Sequence, residues 1–431
     1  MARAISDPNQ GRSSIAADAQ DRDDLPSLAG DLRALVPRLG LRNYWYPGIA
    51  AHRVRPHKPA QVRMLGEDLC FFRAADGRVV ALSDICPHRG ARLSEGRCHF
   101  PGTVACPYHG WMFDDTGRNV AVLSEGPTSQ VCGKPGTAAR AYPTRELKGI
   151  VFVWMGDAEP APIEQDVPDE FFDPEAYVPF NDRIYWPVNW EVALENSMDS
   201  HVNYLHRDDL QSLLAASGPR PRGAVGGAVF AFTGNGFRGA ARRPMSTAPQ
   251  DVYPQGWKWP KHRYRRLWSW LFRPLFDSTR VDPPAVRSEW WGMGHRLPGM
   301  YRVGLSGPDA RGGLFGLYTR QTVPVDENRT DVWYYHHTRP KNRLQAAWYR
   351  LLYWTLYRWL VEYNFSQQDV SVMINQCYDW PEKLSGTDAE VIQWRRLVVT
   401  KHLGGRDAPF EYRTSDDVAD ARPAVADPAS D

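Results

Sequence analysis

Four residues in the first third of the chain have the types and spacing to hold a metal centre. They are Cys86 and His88 in Cys86-Pro-His88-Arg-Gly90, then, after seventeen intervening residues, Cys106 and His109 in Cys106-Pro-Tyr-His109-Gly110-Trp111. Two thiolates and two imidazoles on tight loops suit a [2Fe-2S] cluster with sulfur ligands on one iron and histidines on the other. Such mixed ligation raises the reduction potential above that of an all-cysteine cluster. A structural zinc site can use the same donors, although the order Cys, His, Cys, His fits zinc-finger spacing poorly. Further on, Asp199, His201 and His206 form a second group. Two histidines and an acid beside a redox cluster suggest part of a 2-His-1-carboxylate iron site, which leaves positions open for dioxygen and a neighbouring substrate. The alternative is a pair of surface histidines at a helix end. A late acid, Asp369, emerges from a very apolar stretch and needs a partner, because an unpaired buried carboxylate is costly. Glu362 competes with it for the role of third ligand.

The elements that must position these residues are of two kinds. From residue 43 to 155 short apolar runs alternate with turns, and Asp76-Gly77 marks a hairpin. That pattern predicts a small all-β domain whose hairpin loops carry Cys86, His88, Cys106 and His109. Residues 157–187 are rich in proline and acids and read as a linker. Apolar residues at 190, 194 and 198 predict a helix with Asp199, His201 and His206 near its end. His201 and His206 are five apart, about 140° around an ideal helix. They face one metal only if the helix ends, widens or kinks between them. Segments 229–233, 299–304, 316–320 and 331–337 predict strands of one antiparallel sheet; His336 and His337, being adjacent on a strand, point to opposite faces. Residues 345–365 are apolar all round, which predicts a substantially buried helix. The basic, aromatic stretch 257–272 reads as a lid or packing element, with a membrane-surface helix or subunit contact as alternatives.

Composition bounds the function class. The chain has 431 residues, a formal charge of +2 and 42% hydrophobic residues. Two domains are expected, and the near-neutral charge gives no reason to expect nucleic acid as a partner. Cys86 and Cys106 as metal ligands imply a reducing compartment, hence the cytoplasm, and Cys70, Cys98, Cys132 and Cys377 read as ordinary thiols. No secretory signal or membrane-spanning segment is read. Residues 1–30 and the last fifteen read as disordered, and 403–431 as a C-terminal tail. The expected layout is a cluster domain over 40–156, the linker 157–187 and an iron domain over 188–402, an α+β architecture.

The motif Cys86-x-His88 … Cys106-x-x-His109, with Arg89-Gly90 and Gly110-Trp111 beside it, resembles the Rieske signature. Asn43-Tyr-Trp-Tyr-Pro47 and Phe113-Asp-Asp-Thr-Gly117 are similar to the family's flanking text. Glu195-Asn-Ser-Met-Asp199-Ser-His201 … His206 resembles the mononuclear iron motif of Rieske non-haem iron oxygenases. Here a single residue, Ser200, separates the Asp from the first His, where the family more often has two. The resemblance extends over about residues 40–400. It implies a helix-grip-like catalytic domain, a [2Fe-2S] cluster, and mononuclear Fe(II) held by His201, His206 and Asp369. It also implies a head-to-tail homotrimer in which Asp199 links His109 of one subunit to an iron-ligating histidine of the next. No flavin or nicotinamide fingerprint is found, so electrons from NAD(P)H would arrive through a ferredoxin or flavin reductase. The expected reaction is hydroxylation or oxidative demethylation of an apolar aromatic or polycyclic substrate by dioxygen. An electron carrier or a metal-stabilised binding protein is the alternative.

Overall fold

The computed structural model describes residues 32–198, 201, 205–206, 317–336, 338, 340–378, 380–384 and 388–410. Short segments are also described between 225 and 313: 225–226, 230–233, 235–239, 243–244, 280–281, 294–304 and 312–313. Asp199, His337 and the stretch 257–272 lie outside the described residues. The chain divides into two compact units, one formed by Met1–Val36 and Ile392–Asp431, the other by Pro37–Val391. Both candidate sites lie in the second unit.

The N-terminal part of that unit is all-β. Strands β1 (Tyr44–Ala50), β2 (Ala60–Met64), β3 (Glu67–Arg73), β4 (Val79–Ser83), β5 (Val104–Ala105), β6 (Trp111–Phe113), β7 (Asn119–Val122), β8 (Ala141–Tyr142), β9 (Thr144–Leu147) and β10 (Ile150–Met155) form three sheets. Their orders are β1-β10-β9, β2-β3-β4-β8 and β5-β6-β7. The predicted hairpin joins β3 to β4, with Gly77 at a φ of 89° and its N–H on the Ala74 carbonyl at 3.0 Å. Glycine takes that left-handed conformation without a Cβ penalty. Tyr44 pairs with Met155, so the first and last strands close the domain on each other. Phe72, Leu82, Leu93, Val104 and Phe113 form a buried core that Cys86 and Cys106 join from its edge.

The predicted linker takes in a strand. Residues 157–179 run through 3-10 turns, but β11 (Phe180–Trp186) pairs with the strand Arg329–His336. A residue-by-residue count of prolines and acids misses it, because its apolar positions gain their meaning only from the partner strand. With β12 (Phe230–Thr233), β13 (Gly236–Gly239), β14 (Gly294–Arg296), β15 (Met300–Gly304), β16 (Leu317–Asp326) and β17 (Arg329–His336), it forms one antiparallel sheet. The order is β11-β17-β16-β15-β14-β13-β12. The four predicted segments fall in this sheet as β12, β15, β16 and β17, with β16 longer than expected and β11, β13 and β14 added to them.

Helices grip one face of the sheet. Helix α1 (Trp190–Glu195) is capped by Asn189, whose side chain accepts the Glu191 N–H at 3.0 Å, a normal N-terminal device. The run α2 (Arg343–Leu352), a π-helical stretch Tyr353–Phe365 and α3 (Ser366–Met373) continues without a break. Val188, Val192, Val332, Tyr334, Val370 and Met373 pack α1 and α3 against the sheet. Against the expectation of a substantially buried helix, Tyr349, Leu352, Tyr353 and Leu360 are buried while Leu344, Trp348, Leu351, Trp354 and Trp359 are exposed. A helix lying across a sheet buries only the stripe that meets it, whatever the composition of its outer face.

Candidate metal centres

The two Cys/His loops are near copies of one another in backbone hydrogen bonding. The Cys86 N–H donates to the Ala91 carbonyl at 2.8 Å and the Gly90 N–H returns to the Cys86 carbonyl at 2.8 Å. In the second loop the Cys106 N–H donates to Trp111 O at 2.8 Å and the Gly110 N–H to Cys106 O at 3.1 Å. Gly90 and Gly110 both have positive φ, 75° and 67°. The first loop leaves β4; the second is the turn of the β5–β6 hairpin. Asp84, fully buried, anchors the first loop by accepting the Ser94 N–H and hydroxyl, each at 2.6 Å.

These loops bring all four predicted residues together. The His88 and His109 rings lie 4.6 Å apart, His88 stacks on Trp111 at 4.9 Å, and Tyr108 lies 3.8 Å from the His109 ring. Burial, and then the adjacent Cys106 sulfur, push the Cys86 thiol up to about 11. Without a cation, two thiolates would not persist side by side at neutral pH; a bound metal centre deprotonates such thiols outright. The buried Nδ1 of His109 has no hydrogen-bond partner, as a metal-ligating nitrogen requires. On both counts the residues fit a cluster with mixed sulfur and nitrogen ligation.

The second centre is assembled from distant parts of the chain. Helix α1 stops at Glu195, and the Leu205 N–H meets the His201 carbonyl at 2.8 Å. His201 and His206 therefore lie beyond α1 rather than near its end, and, although five positions apart, both reach one carboxylate. Their Nε2 atoms approach Asp369 Oδ1 at 3.1 and 2.9 Å. The three ligand atoms lie within 4.8 Å of one another. Burial raises the Asp369 carboxyl, but hydrogen bonds from His201 and His206, then the charges of His206 and Arg320, outweigh it and hold the group well below its ordinary value.

Residues not foreseen from the sequence shape this centre. His206 Nδ1 meets Gln368 Oε1 at 3.0 Å and its ring stacks on Phe365 at 3.6 Å. With Nδ1–H given to Gln368, Nε2 would offer a lone pair to a cation in place of its hydrogen bond to Asp369. Arg320, on β16, lies 4.0 Å from Asp369 Oδ2, donates to Ala193 O at 3.1 Å and stacks over Trp186 at 5.0 Å. Tyr334, its cross-strand neighbour, bonds Ser366 on α3 at 2.6 Å. Gln368 was signalled only by its adjacency to Asp369, and Arg320 by nothing in its own segment. The donor set of two imidazoles and one carboxylate fits a 2-His-1-carboxylate metal.

Glu362 is not part of this group. Its carboxylate accepts from Asn181 at 2.7 Å and Tyr353 at 2.8 Å and pairs with His336 Nε2 at 2.8 Å, all buried. His336 is thus a fully buried partner of Glu362.

Comparison with known proteins agrees with this arrangement. Residues 44–131 match the Rieske [2Fe-2S] domain, and residues 154–218 match the family described as homotrimeric ring hydroxylase. The chain is 35% identical over 175 residues to the terminal oxygenase component of carbazole 1,9a-dioxygenase from Sphingomonas sp., covering 40% of this chain and 45% of that one. It is 34% identical over 236 residues to the phthalate 4,5-dioxygenase oxygenase subunit of Pseudomonas putida, covering 49% and 50%. These matches span about half the length of those relatives. The fold matches the terminal oxygenase of carbazole 1,9a-dioxygenase from Novosphingobium sp. KA1 with a TM-score of 0.67 at 23% identity, over 93% of this chain and 100% of that one. The chain thus carries a segment that matches the Rieske [2Fe-2S] domain, followed by one that matches homotrimeric ring hydroxylases, on a fold similar to that terminal oxygenase.

Proposed function

We propose that this chain is a terminal oxygenase, taking electrons from a separate ferredoxin or flavin reductase and ultimately from NAD(P)H. With dioxygen it hydroxylates, or oxidatively demethylates, an apolar aromatic or polycyclic substrate. The observation that carries this reading is the convergence of His201, His206 and Asp369 in a chain that also presents Cys86, His88, Cys106 and His109. A carrier of electrons alone has no use for the second donor set. The carbazole and phthalate enzymes among its relatives support an aromatic substrate. The thiol ligands favour a cytoplasmic location.

Cys86, Cys106, His88 and His109 would hold the cluster, and His201, His206 and Asp369 the mononuclear iron. When bound, these groups supply single-electron transfer and dioxygen activation. The chain's own residues prepare the sites. Gln368, by accepting the Nδ1 proton of His206, would leave Nε2 for the metal. Arg320 favours the ionised form of Asp369. His201 is the most exposed of the three at 17%, which leaves the approach on its side. Trp111, stacked on His88, restricts rotation of that ring. Asp199 is assigned the hydrogen-bonded link between His109 of one subunit and an iron-ligating histidine of the next.

The test is metal analysis with an EPR spectrum of the dithionite-reduced protein, followed by product analysis with a surrogate reductase. A Rieske signal, iron beyond that of the cluster, and an oxygenated product are expected. Colourless, zinc-loaded protein would sink the reading.

A further inference from the structure

The helical run that carries Asp369 has an outer face unused by either metal centre. Leu344, Trp348, Leu351, Trp354, Trp359 and Tyr363 are each between 41% and 83% exposed. At 100° per residue, Leu344, Trp348 and Leu351 share a sector about 60° wide. The wider π-helical turn carries the stripe on through Trp359 and Tyr363. The accessible charges on the run itself are all positive. Arg343 and Arg350 are exposed; Arg358 is half-buried and lies over Trp354 at 4.8 Å and Tyr363 at 5.5 Å. The acids of the run, Glu362 and Asp369, are both only 1% exposed. A groove of about 450 Å³ opens on the same run, lined by Trp359, Tyr363, Asn364, Gln367, Gln368 and Ser371, and Gln368 is the residue that bonds His206.

We propose that this face seats the protein on an anionic phospholipid surface. Tryptophan, tyrosine and leucine would lie at the headgroup boundary, with the arginines at the phosphates. Aromatic side chains with basic residues beside them suit that boundary. Among the described residues no helix is long and apolar enough to cross a membrane, so the run lies on the surface. A copy presenting the same face would set arginines against arginines, whereas anionic lipid neutralises them; a head-to-tail copy seated here is distinguished by ultracentrifugation without lipid. An apolar molecule dissolved in the bilayer would meet the groove beside Gln368; that last step rests on the oxygenase reading, and the seating itself does not.

The experiment is flotation of the full-length, metal-loaded protein with vesicles of phosphatidylcholine and phosphatidylglycerol at 3:1, and with phosphatidylcholine alone. Analytical ultracentrifugation without lipid accompanies it. The protein is expected to float with the anionic vesicles, to shift its tryptophan emission to the blue, and to release as salt rises. Trp348→Ser with Leu351→Glu should weaken partitioning by roughly tenfold or more, with circular dichroism, cluster absorbance and oligomeric state unchanged. Arg343→Gln with Arg350→Gln should remove the preference for anionic vesicles. No flotation with anionic vesicles, or flotation indifferent to both variants, overturns the proposal. So does dissociation of an oligomer by Leu351→Glu, which would make this face a contact between copies.

Discussion

At the scale of single residues, two buried carboxylates on one helical run have opposite assignments. Asp369 faces two imidazole nitrogens and Arg320, whereas Glu362 is consumed by His336, Tyr353 and Asn181. Asp369→Ala is therefore expected to lose the mononuclear iron while the cluster absorbance persists, as read by metal analysis and the visible spectrum. Glu362→Ala should keep that iron and instead destabilise the fold by about 3–5 kcal/mol, because it leaves its buried partners uncompensated; denaturant melts measure this. Iron lost from the Glu362 variant and kept by the Asp369 variant would exchange the two roles. Gln368→Leu frees the Nδ1 position of His206 and should weaken iron binding on the order of 10–100-fold, the usual effect of removing such an orienting group.

Among the elements, the cluster loops differ in how tightly their surroundings hold them. A Cβ at Gly90 would meet nothing within 4 Å, whereas one at Gly110 would come within 2.7 Å of the Leu123 Cβ. Gly90→Ala should cost only the left-handed backbone penalty, about 1–2 kcal/mol. Gly110→Ala adds an overpacking cost of about 1–3 kcal/mol and should yield less cluster per chain, read as visible absorbance against protein. Strand β17 carries a different kind of tension. Burial pushes the Asp331 carboxyl up from 3.8, against the pull of Arg183 and Arg329. A carboxyl raised in the folded state contributes its full stability below the unfolded value and loses it as pH climbs through the folded one. Asp331→Asn should flatten that decline, so melting temperatures of variant and parent should diverge progressively in the variant's favour above about pH 4.

For the whole molecule, the oxygenase reading places each cluster beside the iron of an adjacent chain. Chains carrying Cys106→Ser and chains carrying Asp369→Ala, each inactive alone, should regain part of the product-forming activity when assembled together. The cluster of one then serves the iron of the other. No recovery in verified mixed assemblies would place electron transfer within a single chain.

The cluster loops were legible from sequence because every feature that makes them lies within six residues: the Cys, the His, the glycine that turns the chain, and the hydrogen bonds closing each loop. The hairpin at Asp76-Gly77 and most of the antiparallel sheet were legible for the same reason, since alternation and turn chemistry are local. The donor types of the second centre were visible as well. What the sequence did not contain was the choice between Asp369 and Glu362, seven positions apart on one helical run. That choice depends on which turn of the run faces a histidine 163 residues away. Nor could composition say which side of that run the sheet would cover, or that Arg320 would reach Asp369 from a strand. Local rules set what each segment can form and which donors it offers; only packing, by bringing distant segments together, decided which donors meet and which apolar face stays in water.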